Sequence, residues 1–161
     1  MTAGKTLVVY VTKGGATREA AELIAKTLRE KSGLEVDVVD LKKQKHLDLS
    51  SYGNIVVGGG VRTGQVYSET VEFMKQDFTG KCIAAFICAA LSKNSTKQEN
   101  LAERYITQGF ASKTNLVSRE AFGGCIKIFG KTVADGRDPE KIQAWAEELG
   151  KKFTEQSQVK R

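Results

Sequence analysis

Short apolar runs rich in β formers alternate with stretches of helical spacing along this chain, and that alternation constrains its fold more than any other feature. Residues 6–11 form the first such run, after which Ala20, Ala21, Ile24 and Leu28 recur at helical spacing until Gly33 stops them. Further strands are expected at 34–39, 55–58 and 81–89, with a fifth inside 116–128, and helices at 68–76, 97–108 and 139–153. Runs that are apolar on both faces, separated by amphipathic helices, belong to a parallel sheet covered on each side by its crossovers. The expected fold is therefore α/β, a doubly wound five-stranded parallel sheet, taken with the order 2-1-3-4-5 common to such sheets. A chain of 161 residues suits a single domain, 1–161, that buries roughly 70% of its unfolded surface on folding.

In such sheets ligands lie outside the carboxyl ends of the strands where the order reverses, here beside strands one and three. Three loops meet that description. The first, Thr12, Lys13, Gly14, Gly15, Ala16 and Thr17, carries strand one into the first helix. Glycines let its backbone approach an anion, Thr17 stands where an N-cap belongs, and the helix start offers unpaired amides with about half a positive charge. Taken alone, the same loop also suits an ordinary βα turn capped by threonine. The second loop runs from Gly60 through Val61, Arg62, Thr63, Gly64 and Gln65 to Tyr67, and the third from Ala89 through Ala90, Leu91, Ser92 and Lys93 to Ser95. Loops of glycine and small polar residues suit a flat heteroaromatic ring, which needs walls on its faces and amides at its edge. Arg62 and Lys93 could add positive charge to that crevice, though both also read as exposed loop residues.

Counting residues removes the common rivals. A P-loop has four residues between its first glycine and Gly-Lys-Ser/Thr, whereas Gly124 and Gly130-Lys131-Thr132 are separated by five. The dinucleotide fingerprint lacks its last glycine in 58–64, and it would sit on the third strand. A phosphorylatable receiver would carry aspartates where Thr12 and Gly58 to Gly60 stand. Cys82, Cys88 and Cys125 sit in apolar runs without a Cys-x-x-Cys pair, so they are expected to be buried reduced thiols with no metal site. The net charge of +6 comes from scattered lysines and arginines, densest at Lys42, Lys43, Lys45 and His46, with no interleaved aromatics. That pattern is a solvated surface and gives no expectation of nucleic acid. The short apolar run at the amino terminus gives no stable membrane insertion, and a cytoplasmic location is expected.

The segment from Val9 to Ala21, with Thr12-Lys13-Gly14-Gly15-Ala16-Thr17 at its centre, resembles the start of the flavodoxin family. Tyr52 to Gly58, Val61-Arg62-Thr63-Gly64, Ala121-Phe122-Gly123-Gly124 and Asp138 to Ala146 look most like the branch that contains menaquinone-dependent protoporphyrinogen oxidase. The resemblance implies a flavodoxin-like fold with FMN as cofactor, its phosphate on Thr12 to Thr17 and its ring on the two later loops. The chain departs from electron-carrier flavodoxins in having no Trp or Tyr within 60–65 or 89–95, so Tyr67 is the nearest candidate wall. It departs from the porphyrinogen-oxidising branch in having only Ile126 to Gly136 where that branch carries a long basic, aromatic segment.

Three functions remain open at this level. In an electron-transfer protein the flavin exchanges electrons with a redox protein partner and no side-chain acid or base is needed. In a flavin-dependent oxidoreductase a small conjugated substrate, a protoporphyrinogen or a quinone, is oriented by Arg62 or Lys93. An interaction domain that has lost its flavin would leave the glycine-threonine loop without a task. His46, the one histidine, lies in a lysine-rich segment and is expected at the surface, away from the crevice.

Overall fold

Strand β1 (Lys5–Val11) has an apolar layer on each side, which is why Leu7 to Val11 are apolar without alternation. A computed structural model describes residues 4–12, 15–44, 46–62, 65–78, 80–89, 116–123, 125–128, 131–135 and 138–159. The chain continues through α1 (Ala16–Ser32), β2 (Val36–Asp40), β3 (Tyr52–Arg62), β4 (Gln65–Val66) and α2 (Ser68–Phe73). After these come β5 (Cys82–Ala89), β6 (Leu116–Gly123), β7 (Cys125–Ile128), β8 (Lys131–Asp135) and α3 (Pro139–Val159).

Five strands pair in parallel in the order β2-β1-β3-β5-β6, which is the expected 2-1-3-4-5 once the short β4 is set aside as an antiparallel appendage of β3. Leu7, Val9 and Val11 join Ile55, Val57, Ile83 and Ile87 on one face, covered by Leu41, Leu49, Phe73, Met74 and Phe78. Val8 and Tyr10 join Val56, Ala84 and Phe86 on the other, covered by Ile24 and Leu28 of α1 and by Trp145, Leu149 and Phe153 of α3. The period-2 geometry of a strand sends neighbouring side chains to opposite faces.

One close approach fixes the second face. Gly58 of β3 pairs in register with Phe86 of β5, and the Phe86 ring lies where a Cβ on Gly58 would stand. Phe86 in turn meets Phe122 and Trp145 at centroid distances of 5.8 and 6.1 Å, and the Trp145 indole N–H donates to Ser118 Oγ at 2.9 Å. The aromatic cluster therefore ties β3, β5, β6 and α3 together.

Several element boundaries differ from the sequence expectation. Helix α1 stops at Gly33 as expected. Strand β3 extends over Tyr52–Arg62 rather than 55–58, because its polar and glycine ends are held by neighbouring strands. Helix α2 ends at Phe73 rather than at 76, since Phe73 and Met74 turn down into the core. The run at 116–128 is two strands: β6 belongs to the main sheet, while β7 leaves it to pair antiparallel with β8. The helix expected at 97–108 lies outside the described residues.

Candidate functional site

The carboxyl ends of β1 and β3 meet in register, Tyr10 beside Gly58 and Val11 beside Gly59, and the candidate site lies just beyond them. After Val11 the chain turns at Thr12, whose Oγ1 accepts the Gly15 N–H at 2.9 Å. Gly15 has φ 91° and ψ −14°, the left-handed region, and it is the N-cap of α1. That corrects the expectation for Thr17. Thr17 is the second residue of the helix, 2% exposed, and its side chain points into the protein.

The correction matters chemically because glycine has no side chain with which to cap. No side-chain cap bond is made at the start of α1, and the first helical backbone bond is Glu19 N–H to Gly15 O at 3.0 Å. The amides of Ala16, Thr17 and Arg18 thus precede any intrahelical acceptor and carry the positive end of the helix dipole. A Cβ built on Gly15 would meet no atom within 4 Å, so there is open space beside Gly15 in that direction. A compact anion such as a terminal phosphate fits that cradle.

Behind the turn the packing is tight. The Thr17 hydroxyl hydrogen-bonds the Cys88 thiol on β5, and burial pushes that thiol up to about 12 despite the bond. Thr17 Oγ1 also lies 3.3 Å from the place a Cβ would take on Gly60. The second loop turns back on itself: β4 pairs with the end of β3, Val61 opposite Val66 and Arg62 opposite Gln65, which returns Tyr67 to Gly60. The Tyr67 N–H donates to Gly60 O at 3.4 Å, and a ring edge lies 2.8 Å from the Gly60 Cβ position. The Tyr67 ring is therefore packed against Gly60, whose other near neighbour is Thr17 Oγ1.

Thr12, Gly15, Ala16, Thr17 and Gly60 converge on this corner, and Ala89 ends β5 two strands from β1, beside Gly123. Val61, Arg62 and Gln65 are placed by their backbone in the β3–β4 hairpin. Lys13, Gly14, Thr63, Gly64, Ala90, Leu91, Ser92 and Lys93 lie outside the described residues. Sequence reasoning missed Lys42, which it counted with the solvated lysines: its ammonium donates to Thr12 O at 2.6 Å and stands 5.5 Å from the centroid of the Tyr67 ring. The available signal was strand order, since β2 runs beside β1 and Asp40 pairs with Tyr10. Burial and the neighbouring Asp40 carboxylate push the Tyr10 phenol up.

His46 is exposed, as expected, and lies on a separate cleft with Leu41, Leu47, Glu72 and Phe73. Among the described residues no group of three or more His, Cys, Asp or Glu side chains could hold a metal ion, and no helix is long and apolar enough to cross a membrane.

In a doubly wound α/β sheet the ligand crevice lies beyond the carboxyl ends of strands one and three, and here the start of α1 stands at that switch point without a side-chain cap. The chain belongs to the flavodoxin domain family, whose sequence model matches residues 7–128, and membership implies a flavin site. It is 33% identical over 75 residues to protoporphyrinogen IX dehydrogenase [quinone] of Escherichia coli. That alignment covers 47% of this chain and 41% of the relative, so the chain matches less than half of that protein. Oxidised flavodoxin 2 from Bacillus cereus superposes with a TM-score of 0.63 at 19% identity, covering 94% of this chain and 99% of the flavodoxin. Rubredoxin oxygen:oxidoreductase from Desulfovibrio gigas superposes with a TM-score of 0.61 at 16% identity, covering 93% of this chain and 36% of that one. These two likenesses describe the fold.

Proposed function

We propose that the chain is a single FMN-binding domain that transfers electrons to and from a redox protein partner in the cytoplasm. The observation that carries the reading is the left-handed Gly15 N-cap, which leaves the first amides of α1 without a side-chain cap at the switch point. Thr12, Gly15, Ala16 and Thr17, with Lys13 and Gly14 between them in sequence, would hold the phosphate on backbone donors. Gly60 to Gln65 and Ala89 to Lys93 would border the ring, with Tyr67 against the corner they share. Bound FMN supplies the electron exchange itself. The protein's part is to bind, orient and shield. Gly60 keeps the floor thin, Tyr67 covers it, and the buried Thr17–Cys88 contact holds the helix start against β5. The free thiols of Cys82 and Cys88 are buried, in keeping with a reducing compartment.

A second reading is favoured by one observation, the 33% identity to the Escherichia coli dehydrogenase over 75 residues. On that reading the same site would serve a small-molecule pair, a protoporphyrinogen as electron donor and a quinone as acceptor, through the bound flavin. Purified protein that is yellow, or a colourless protein that takes up FMN with a shifted visible spectrum, supports FMN binding. Absence of binding overturns both readings. Stopped-flow reduction of the loaded protein by protoporphyrinogen, followed by quinone, then separates them: turnover without any protein partner refutes the carrier.

A further inference from the structure

We infer that Lys42 is a binding residue for the flavin phosphate, and that its charge adds to the site's preference for a phosphorylated flavin over the same ring with a neutral tail. The inference rests on the FMN reading and adds to it a side chain outside the three loops.

Lys42 is placed by a short turn at the end of β2. Its own N–H donates to Asp40 Oδ1 at 2.9 Å, and the N–H groups of Lys43 and Gln44 both donate to Asp40 O at 3.0 Å. Leu41 N–H donates to Tyr10 O at 3.0 Å and its side chain is buried, which anchors the turn beside β1. From there the side chain spans the end of β1, and its ammonium reaches Thr12 O, the first carbonyl of the glycine-threonine loop, at 2.6 Å. Asp40 Oδ1 is taken up by the Lys42 backbone N–H. Among the described residues no carboxylate pairs with the Lys42 ammonium.

An ammonium has three donors, and Thr12 O takes one of them. The others remain for oxygens at the mouth of the same loop. Of the neighbouring groups, Thr12 O and the face of Tyr67 both favour a cation at this spot, so the charge is held where it is before any ligand arrives. The first amides of α1 carry the positive end of the helix dipole, and Lys42 adds to them a point charge on a flexible stem. Lys42 remains exposed, so its attraction is open to screening by salt.

The test measures FMN and riboflavin binding to the apo-protein by fluorescence quenching, for the wild type, Lys42→Met and Lys42→Arg, at low and high salt. Lys42→Met is expected to weaken FMN binding about tenfold at low salt, equivalent to about 1.4 kcal/mol, and to leave riboflavin binding unchanged. Lys42→Arg keeps the wild-type preference, and added salt narrows the gap between wild type and Lys42→Met. Equal loss of both ligands in Lys42→Met overturns the inference, because it shows a prop for the loop and for Tyr67 rather than a phosphate contact. Unchanged FMN affinity in Lys42→Met also overturns it while leaving the FMN reading intact. A wild-type protein that binds neither ligand refutes the FMN reading and this inference with it.

Discussion

Substitution of Gly15 isolates the conformational term at the candidate phosphate site, because a Cβ there meets no atom within 4 Å and the whole cost comes from φ 91°. Forcing an L-residue into the left-handed region costs about 1–2 kcal/mol. Replacing glycine by alanine returns about 0.4–1 kcal/mol by restricting the unfolded chain. Gly15→Ala is therefore expected to lose about 1 kcal/mol net, a fall of about 2–4 °C in Tm for a domain of this size. Gly15→Asn, which tolerates the left-handed region, stays closer to the wild type, while Gly15→Val loses more than alanine because a β-branched residue is a true outlier there. The strain also has a local outlet. If the turn relaxes, the Gly15 N–H leaves Thr12 Oγ1 and the first amides of α1 are re-aimed, so FMN affinity should fall in the order Asn, Ala, Val. Urea unfolding of the apo-protein gives the first quantity and calorimetric titration with FMN the second. A Gly15→Val variant with wild-type stability and wild-type FMN affinity would refute the reasoning.

The Gly58–Phe86 contact predicts a coupled pair: Gly58→Ala alone should cost about 1–3 kcal/mol from overpacking, and the cost should shrink in a Phe86→Leu background, where the ring that occupies the Cβ position is gone. Strict additivity in urea melts of the four proteins would contradict the packing described. Cys88, held up to about 12 by burial, should stay unmodified by a thiol reagent at pH 8 in the native protein and react after unfolding, as peptide mapping would show. Labelling of Cys88 in the native state would count against its burial. The Tyr52 hydroxyl donates to Asp37 Oδ2 at 2.7 Å, and that bond pushes the phenol from 10.0 up to about 12. The folded state therefore keeps a proton that the unfolded state gives up. This stabilisation is complete below pH 10.0 and is lost as pH rises toward about 12, so Tyr52→Phe should show a shallower alkaline loss of stability. Identical alkaline limbs would remove Tyr52 from the account.

The sheet was legible because burial on both faces writes itself into composition: β5 is apolar throughout and β1 from Leu7 to Val11, and the helices between strands repeat at the spacing that lays one stripe on a flat surface. Strand order is not written in that composition: 2-1-3-4-5 is the order common to such five-stranded sheets, and the observed pairing agrees with it and with the corner where β1 and β3 end. Boundaries set by partners were less visible. Nothing local marks Gly59 or Arg62 as strand, since they are held by pairing with β1, β4 and β5, and nothing local makes β7 leave the main sheet for β8.

The glycines, threonines and length of the phosphate loop were present in the sequence, but the position of the cap was not. Thr17 has the right side chain for an N-cap, yet Gly15 takes the role because the left-handed turn, closed onto Thr12, starts the helix two residues earlier. That frees Thr17 to point inward at Cys88. Lys42 stands 30 residues from Thr12 and shares no periodicity with it. Local pattern determined the elements, their order and the loop in which an anion could rest. Only the folded sheet, by laying β2 beside β1 and folding β4 back on β3, put Lys42 and Tyr67 at that loop, because contacts between distant segments are set by pairing and packing rather than by sequence spacing.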